Sequence, residues 1–224
     1  MKRRPEPAEL MDGVEQAQAY AAADFNASNT LFMELLRRLV RGPLTGALAL
    51  DLGCGPADIV IRLLRAYPSI TCDALDGSRP MLDLAQQALN ALPDLAARAR
   101  LLHDVIPSAQ LPRQHYDLVL SNSLLHHLPD PAVLWQTVRE TAKPGAPVLI
   151  MDLMRPASAG WVEALVETYA GRESEMLRRD FRHSLYAAFE PAEVSAQLAA
   201  AGLDSLEVAV VSDRHLAVMG YLPA

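Results

Sequence analysis

The carboxyl-terminal two-thirds of the chain alternates short apolar runs with stretches of helical periodicity. Short runs rich in Val, Ile and Leu are typical of strands that are buried on both faces, and they occur at 47–51, 70–75, 99–103, 116–121 and 147–153. Helical patterns lie between them at 56–67, 79–92 and 130–143. This alternation predicts parallel strands with right-handed crossovers, and therefore a Rossmann-like, doubly wound α/β sheet.

The end of the chain departs from this alternation. Pro191 begins a helical pattern that Gly202 closes, and two β-rich runs at 205–211 and 215–221 follow. Their three-residue separation predicts a hairpin, which adds an antiparallel strand and completes a seven-stranded, mostly parallel sheet. We expect one domain over 1–224, whose parts are a helical cover (1–41), a core (45–155), an inserted helical cap (156–188) and a terminal helix with the hairpin (189–224).

Composition and charge narrow the class of protein. The 224 residues are 51% hydrophobic and 21% charged, as in ordinary globular enzymes. The net charge of −7 argues against a nucleic-acid partner. The sequence contains no run of 18 apolar residues, so we expect no membrane span. Cys54 and Cys72 are too few for a disulfide scaffold, so we expect a cytoplasmic protein.

Acidic residues follow the first three predicted strands. Asp51 precedes Gly53 and Gly55, Asp76 ends the second strand, and Asp104 follows the third. Glycines in such a loop allow close approach of a ligand to the backbone, and an acid at the second strand tip can accept ribose hydroxyls. The G-x-G-x-x-G spacing of a nicotinamide site is not met. An acid so close to the loop suits an ammonium group better than a pyrophosphate, which points to a nucleoside that carries a cation.

These motifs resemble those of the class I S-adenosylmethionine-dependent methyltransferases. LDLGCGPAD is similar to the first motif of that family, LDGSRPML to the second, HDV at 103–105 to the third and YDLVLSNSLLHHLPDP to the fourth. VRETAKPGAPVLIMD at 138–152 is similar to the family's KPGG segment, although Ala57 stands where a third glycine is common. Within the class, the chain resembles small-molecule methyltransferases such as those of quinone biosynthesis.

The resemblance implies a role for each motif. S-adenosylmethionine would be the cofactor and S-adenosylhomocysteine the product. The methionine end would lie at Asp51 and the glycine loop, the ribose at Asp76, and the adenine beside Met81 and Asp104. The expected cofactor-binding residues are Asp51, Gly53, Cys54, Gly55, Asp76, Gly77, Ser78, Met81, Asp104, Val105, Ser121, Asn122 and, from the helical cover, Tyr20.

Candidates for the chemistry and for acceptor binding lie elsewhere. His126 and His127 follow the fourth strand, and histidine suits proton abstraction at neutral pH. The basic cluster RRDFRH offers Arg178, Arg182 and His183 to an acidic acceptor. At helical spacing, Arg178 and Arg182 share one face of a helix, and Arg179 and His183 share the next. We expect no metal site.

The activity that follows is methyl transfer to a small-molecule acceptor. Transfer to a tRNA or a protein is one alternative, and a domain that binds S-adenosylmethionine without turnover is another. The sequence leaves open the acceptor, the atom that is methylated and the formation of a homodimer.

Overall fold

The strands lie close to the apolar runs of the sequence, and they form one seven-stranded sheet. The computed structural model describes residues 1–6 and 10–223. Five short, mostly apolar runs supply the first five strands, and such runs suit the interior of a parallel sheet. The strands are β1 Leu48–Leu52, β2 Thr71–Asp76, β3 Ala99–His103, β4 Leu118–Asn122, β5 Pro147–Leu153, β6 Leu206–Val210 and β7 His215–Tyr221.

The strand order is β3-β2-β1-β4-β5-β7-β6. The strands from β3 to β5 pair in parallel, and β7 lies between β5 and β6 and is antiparallel to both. The order reverses between β1 and β4, so a crevice opens at the carboxyl ends of these strands, where ligands bind in open α/β sheets. The expected Rossmann-like sheet with an antiparallel terminal hairpin is therefore confirmed.

The helices cover both faces of the sheet, and their ends carry the polar signals of the sequence. The helices of the described residues are α1 Val14–Ala22, α2 Asn26–Leu39, α3 Asp58–Ala66, α4 Arg79–Asn90, α5 Pro93–Ala96, α6 Ala132–Thr141, α7 Ala159–Ala170, α8 Glu175–Ala187 and α9 Pro191–Ala201. The Ser78 side chain caps α4 by accepting from the Met81 N–H. Gly202 ends α9 with a φ of 68°, a left-handed conformation that glycine adopts without strain.

The amino-terminal region divides into parts with different roles. In α2, Phe32 and Leu36 are fully buried among the core side chains beneath β1 and β5, so this helix belongs to the core rather than to a cover. Residues 1–6, here called the N-terminal strap, cross the end of the sheet. The Arg3 guanidinium in the strap donates to the backbone oxygens of Ala187, His126 and Leu128.

The inserted segment forms a helical pair over the carboxyl end of β5. The helices α7 and α8 bury a small apolar cluster against that strand end, which consists of Leu153, Val162, Leu165, Val166, Leu185 and Ala188. The pair thus closes one side of the crevice. Among the described residues, no helix combines the length and the apolar character that crossing a bilayer requires.

Candidate functional site

Three cavities open at the carboxyl edge of the sheet. A cavity of about 90 Å³ lies beside Asp76, and one of about 50 Å³ lies beside Asp51. A much larger cavity of about 590 Å³ extends under α1, α7 and α8. We call them the Asp76 cavity, the Asp51 cavity and the large cavity. Tyr20 and Ser123 line all three, so the cavities are parts of one continuous site.

The glycine loop after β1 is built from residues with left-handed backbone conformations. Gly53 has a φ of 73°, and a Cβ there would lie 3.0 Å from the Cβ of Leu124. Ala57 also has a positive φ of 70°, and it directly precedes α3. The turn therefore exposes backbone to the Asp51 and Asp76 cavities, where a side chain at Gly53 would clash with Leu124.

Asp51 is a buried carboxylate without a partner. It is 1% exposed, and within the described residues neither of its oxygens accepts a hydrogen bond. Burial, together with the smaller effect of the nearby Asp76 carboxylate, raises its pKa to about 7. An unpaired buried carboxylate is costly, so this site is suited to a cationic group that reaches it through the Asp51 cavity.

Asp76 joins the second strand tip to the glycine loop. Its two oxygens accept from the N–H groups of Gly55 and Ser78, each at 2.8 Å. Burial raises the pKa of Asp76, and these two hydrogen bonds act against that rise. The next residue, Gly77, permits a close approach, since a Cβ there would lie 2.8 Å from Leu10 and 2.9 Å from Val105.

The third acid lies at the rim of the Asp76 cavity. The Asp104 side chain accepts from the Ser108 hydroxyl at 2.6 Å, from Gln110 at 3.1 Å and from the Val105 N–H at 2.9 Å. Hydrogen bonds from Ser108 and Gln110 lower the pKa of Asp104. Its carboxylate thus holds the strand-end loop in shape. It also occupies the backbone N–H of Val105, one of the expected cofactor-binding residues.

Most of the expected cofactor-binding residues come together at the two small cavities. Beyond the three acids, their walls include Gly53, Cys54, Gly55, Gly77, Ser78, Met81, Val105, Asn122 and Tyr20. The Asn122 Oδ1 is buried and has no partner among the described residues, so it can accept from a ligand. Burial raises the pKa of Tyr20 to about 12, which keeps its hydroxyl protonated.

The structure corrects the expectation for Ser121. This residue is fully buried, lines none of the three cavities, and donates from its hydroxyl to the Leu52 oxygen at 2.7 Å. The alternation of side chains along β4 turns it into the sheet interior. Ser123, one residue beyond the strand, occupies the cavity wall instead. Ser123 has a positive φ of 63°.

His126 and Asp152 form a buried pair at the base of the large cavity. The His126 Nδ1 lies 2.6 Å from an Asp152 oxygen, and the side chains are 3% and 1% exposed. Burial acts to lower the pKa of His126, but the Asp152 carboxylate outweighs it and the pKa is raised. The second ring nitrogen, Nε2, forms no hydrogen bond within the described residues, and His126 lines the cavity.

A second imidazole–carboxylate pair lies beside the first. The His127 Nδ1 is 2.5 Å from Glu6 of the N-terminal strap, and Glu6 also accepts from the Ser184 hydroxyl at 2.6 Å. Burial opposes ionisation of Glu6, yet these contacts lower its pKa to about 2. The two imidazole rings are 4.1 Å apart between centroids. His127 lines both the Asp76 cavity and the large cavity, so it stands at their junction.

Glu6, His126 and His127 also satisfy the spacing of a metal-ligand set. Their potential ligand atoms lie within 4.8 Å of one another. The hydrogen bond between His127 and Glu6 and the one between His126 and Asp152 account for the same arrangement without an ion. The expectation that the protein works without a metal therefore stays a prediction.

The basic cluster on α8 divides between two faces. Arg178 pairs with Glu167 at 3.2 Å and Arg182 with Glu163 at 2.8 Å, so both turn toward α7. This corrects the expectation that Arg178 and Arg182 bind the acceptor. His183 and Arg179 line the large cavity, as the shared helical face of these two residues allows. Asp180 lines the cavity as well and accepts from Gln16.

Several residues of the site escaped sequence reasoning. Glu6 lies 121 residues from its partner His127, and no local pattern indicates such a contact. Asp152 comes into contact with His126 because β4 and β5 are neighbouring parallel strands. Arg214 and His215 line the large cavity from the hairpin. The signal that could have found them is the antiparallel strand itself, which begins where the parallel strands end.

Comparison with known proteins agrees with this geometry. A methyltransferase-domain family model matches residues 50–148. An uncharacterised methyltransferase of Mycobacterium bovis is 29% identical over 142 residues, which are 63% of this chain and 68% of that protein. A ubiquinone biosynthesis O-methyltransferase of Xylella fastidiosa is 27% identical over 164 residues, which are 73% of this chain and 63% of the relative.

The fold is shared with solved methyltransferases. The crystal structure of an S-adenosylmethionine-dependent methyltransferase from Aquifex aeolicus superposes with a TM-score of 0.68 at 17% identity, and the match covers 92% of this chain and 97% of that one. The sequence matches, the shared fold and the glycine loop flanked by acids agree. The chain therefore carries a methyltransferase domain over residues 50–148, and it is an enzyme that uses S-adenosylmethionine as its cofactor.

Proposed function

We propose that the enzyme methylates a hydroxyl group of a small-molecule acceptor, which the large cavity binds and His126 deprotonates. The observation that carries this proposal is the buried His126–Asp152 pair, whose imidazole opens into a cavity of about 590 Å³. Small-molecule sites have volumes of about 300–1,000 Å³. The ubiquinone biosynthesis relative and the net charge of −7 both support a small molecule over a nucleic acid.

The cofactor would occupy the two small cavities. Asp51 offers its unpaired carboxylate to the cofactor's ammonium group, and this contact would relieve the cost of a buried charge. Asp76 would accept the ribose hydroxyls, and Met81 contributes apolar wall to the same cavity. When bound, S-adenosylmethionine supplies an electrophilic methyl group. All other parts of the catalysis proposed here belong to side chains of the chain.

The acceptor would lie directly beside the cofactor. The Asp76 cavity and the large cavity share five wall residues, which are Leu10, Met11, Tyr20, Ser123 and His127. A shared wall fixes the relative position of two bound molecules, and good alignment of reactants contributes about 7–11 kcal/mol to lowering a barrier. The N-terminal strap and α1 close this junction, which also keeps water from it.

His126 is suited to the role of general base. Asp152 accepts a hydrogen bond from the Nδ1–H of His126, so Nε2 is the atom that can take a proton from a hydroxyl. The carboxylate then stabilises the imidazolium that forms, as the raised pKa of His126 indicates. A positioned base contributes about 10²–10⁴-fold to the rate. His127 at the junction would help to orient the acceptor, with Glu6 holding its ring.

The two cysteines bear on the cellular compartment of the reaction. Cys54 and Cys72 are both free and buried, which supports a reducing compartment such as the cytoplasm. The formation of a homodimer stays a prediction.

Calorimetry and turnover test the proposal together. S-adenosylmethionine and S-adenosylhomocysteine should bind, and NADH should not. In a screen of hydroxylated small molecules, His126→Ala should lower kcat by about 10²–10⁴-fold without changing the affinity for S-adenosylhomocysteine. His115→Ala is the matched control, since that imidazole is exposed and lines none of the cavities. Equal rates in the two variants would remove His126 from the chemistry.

A further inference from the structure

The hairpin that ends the sheet contributes a cationic group to the large cavity. We infer that Arg214 binds a carboxylate of the acceptor, so that the substrate is a largely apolar hydroxy acid with its hydroxyl at His126 and its carboxylate at Arg214. This inference rests on the proposed function and deepens it, because it names the chemical class of the acceptor and a residue that selects it.

Strand direction brings Arg214 to the ligand edge. Because β7 is antiparallel to β5, its first residue, His215, pairs with Leu153 at the carboxyl end of β5. Arg214, one residue earlier, accepts at its backbone oxygen from the Met154 N–H at 2.7 Å. It therefore lies across from a position two residues beyond Asp152, which is a distance of roughly 7 Å along a strand. Arg214 and His126 thus line one cavity from neighbouring strand ends.

The guanidinium of Arg214 is held in place with donors to spare. Its central carbon lies 3.4 Å from the ring centroid of Tyr169, and its side chain is 15% exposed. Stacking uses the face of the guanidinium, while its five N–H donors lie in the plane. Within the described residues, a single side-chain hydrogen bond is found, from one terminal nitrogen to Asp213 at 3.1 Å. The remaining in-plane donors match the fork that a carboxylate accepts.

The other arginine that lines this cavity, Arg179 on α8, is already engaged by a carboxylate. Arg179 is 57% exposed, and its Nε and one terminal nitrogen both donate to Asp180. Asp180 in turn accepts from Gln16. A group so exposed and so paired adds little to binding. Arg214 is therefore the arginine of the cavity wall that is both shielded from solvent and able to donate to a ligand.

The carboxylates of the cavity wall do not reverse this choice. Glu6 is engaged by His127 and Ser184, and Asp24 accepts from the Asn26 N–H at the start of α2. Asp213, the partner of Arg214, is half exposed and is not part of the wall. Glu173 lines the cavity as well, so the overall charge of the wall does not decide the ligand. The free in-plane donors of Arg214 favour a carboxylate as the ligand.

Aromatic side chains line the part of the cavity that would hold the middle of the substrate. Tyr20, Phe25, Tyr169 and Phe181 all line the large cavity, together with Leu153 and Leu177. Such walls favour a ring or an apolar chain between the two polar ends of the acceptor. His215 adds a neutral neighbour to Arg214, because burial and the Arg214 charge lower its pKa to about 4.

The test compares hydroxy acids with their neutral amides. A panel of hydroxybenzoates and hydroxyalkanoates, each paired with the corresponding amide, is titrated into protein saturated with S-adenosylhomocysteine. The best-binding acid should exceed its amide by about tenfold or more in affinity, because a charge-assisted fork is lost in the amide. In Arg214→Gln this preference should fall to about one. Arg214→Lys, which keeps the charge without the fork, should retain part of it.

Control variants separate recognition from stability. Arg182→Gln removes an arginine that pairs with Glu163 outside the cavity, and it should keep the full preference for acids. The affinity of each variant for S-adenosylhomocysteine reports whether its fold and cofactor site survive. If Arg214→Gln fails this check, Arg214→Lys carries the comparison.

Two results would overturn the inference. One is a wild-type protein that binds S-adenosylhomocysteine but prefers no acid over its amide, which includes a panel from which no acid binds. The other is a folded Arg214 variant whose preference is unchanged. Either leaves the proposed function intact, since that proposal fails on a different measurement, namely absent cofactor binding or unaltered turnover in His126→Ala.

Discussion

The carboxylate of Asp76 accepts a 2.8 Å hydrogen bond from the backbone N–H of Gly55, and it thereby connects the tip of β2 to the glycine loop that follows β1. Its other oxygen holds the first turn of α4 through Ser78. A residue proposed to bind the ribose therefore also sets the shape of the loop beside it. Loss of this side chain should act on the cofactor through both routes.

Replacement of Asp76 tests that double role. We expect Asp76→Ala to weaken S-adenosylhomocysteine binding by at least about tenfold, since a hydrogen bond to a charged group contributes about 1.5–3 kcal/mol. Asp76→Asn keeps one acceptor oxygen and should lose less. Calorimetry measures both affinities, and circular dichroism checks that the variants fold. An unchanged affinity in folded Asp76→Ala would exclude Asp76 from the site.

Asp51 should make both stability and cofactor binding depend on pH. Its pKa is raised from 3.8 to about 7 in the folded protein, so the folded state binds more protons than the unfolded state in this range. The stability that its protonated form contributes is therefore lost as pH rises from about 4 to about 7. The same ionisation creates the anion that an ammonium group requires, so cofactor affinity should rise over the same interval.

The variant Asp51→Asn separates the two effects. It should melt at a higher temperature than the ligand-free wild type at pH 8 and show no such gain at pH 4, since the wild-type carboxyl is largely protonated there. It should also bind S-adenosylhomocysteine at least about tenfold more weakly at pH 8. Differential scanning calorimetry and titration calorimetry give the two readouts. A lower melting temperature at pH 8 would contradict the unpaired carboxylate.

Removal of residues 1–22 should spare the sheet and impair catalysis. The first strand begins at Leu48, and the core residues Phe32 and Leu36 of α2 remain in the truncated chain. The truncation loses Glu6 and Tyr20 from the cavity walls and the Met11 oxygen that accepts from Ser78. We expect turnover to fall on the order of 10²-fold through misaligned reactants. Full turnover in a folded truncation would show that these residues only cover the surface.

Arg182→Ala should leave acceptor kinetics unchanged. Its guanidinium forms two hydrogen bonds with Glu163 on α7, on the side of α8 that faces away from the cavity. Because Glu163 is exposed, the loss of unfolding free energy should be about 0.2–1 kcal/mol. Thermal unfolding and the KM for the acceptor measure the two effects. A raised KM with unchanged stability would return Arg182 to the acceptor site.

Most residues around the two small cavities could be predicted from local sequence, and most residues around the large cavity could not. Asp51, Asp76 and Asp104 each end or follow a run of apolar residues, and parallel strands bring such ends to one edge. By contrast, the pairing of His127 with Glu6 and of His126 with Asp152 depends on which segments become neighbours in space. Hydrophobic periodicity carries no information about such contacts.

Helical spacing grouped the residues of α8 correctly but could not orient the helix. Arg178 and Arg182 share one face and Arg179 and His183 share another, as the spacing predicts. Which face meets the cavity is decided by the glutamates of α7, which pair with Arg178 and Arg182. Ser121 shows the same limit within a strand. Its side chain points into the sheet interior and not into the cavity wall, and this depends on its position relative to the end of β4.

The position of β7 between β5 and β6 has an evolutionary consequence. Most of the residues expected to bind the cofactor lie between Asp51 and Val105, whereas the wall of the large cavity comes from the beginning of the chain and from Ser123 onward. The short turn before β7 therefore projects into the acceptor side alone. Mutations in that turn can change which molecule is methylated while the machinery for holding the methyl donor is inherited intact, so new specificities can arise without a stage at which the enzyme has lost its cofactor.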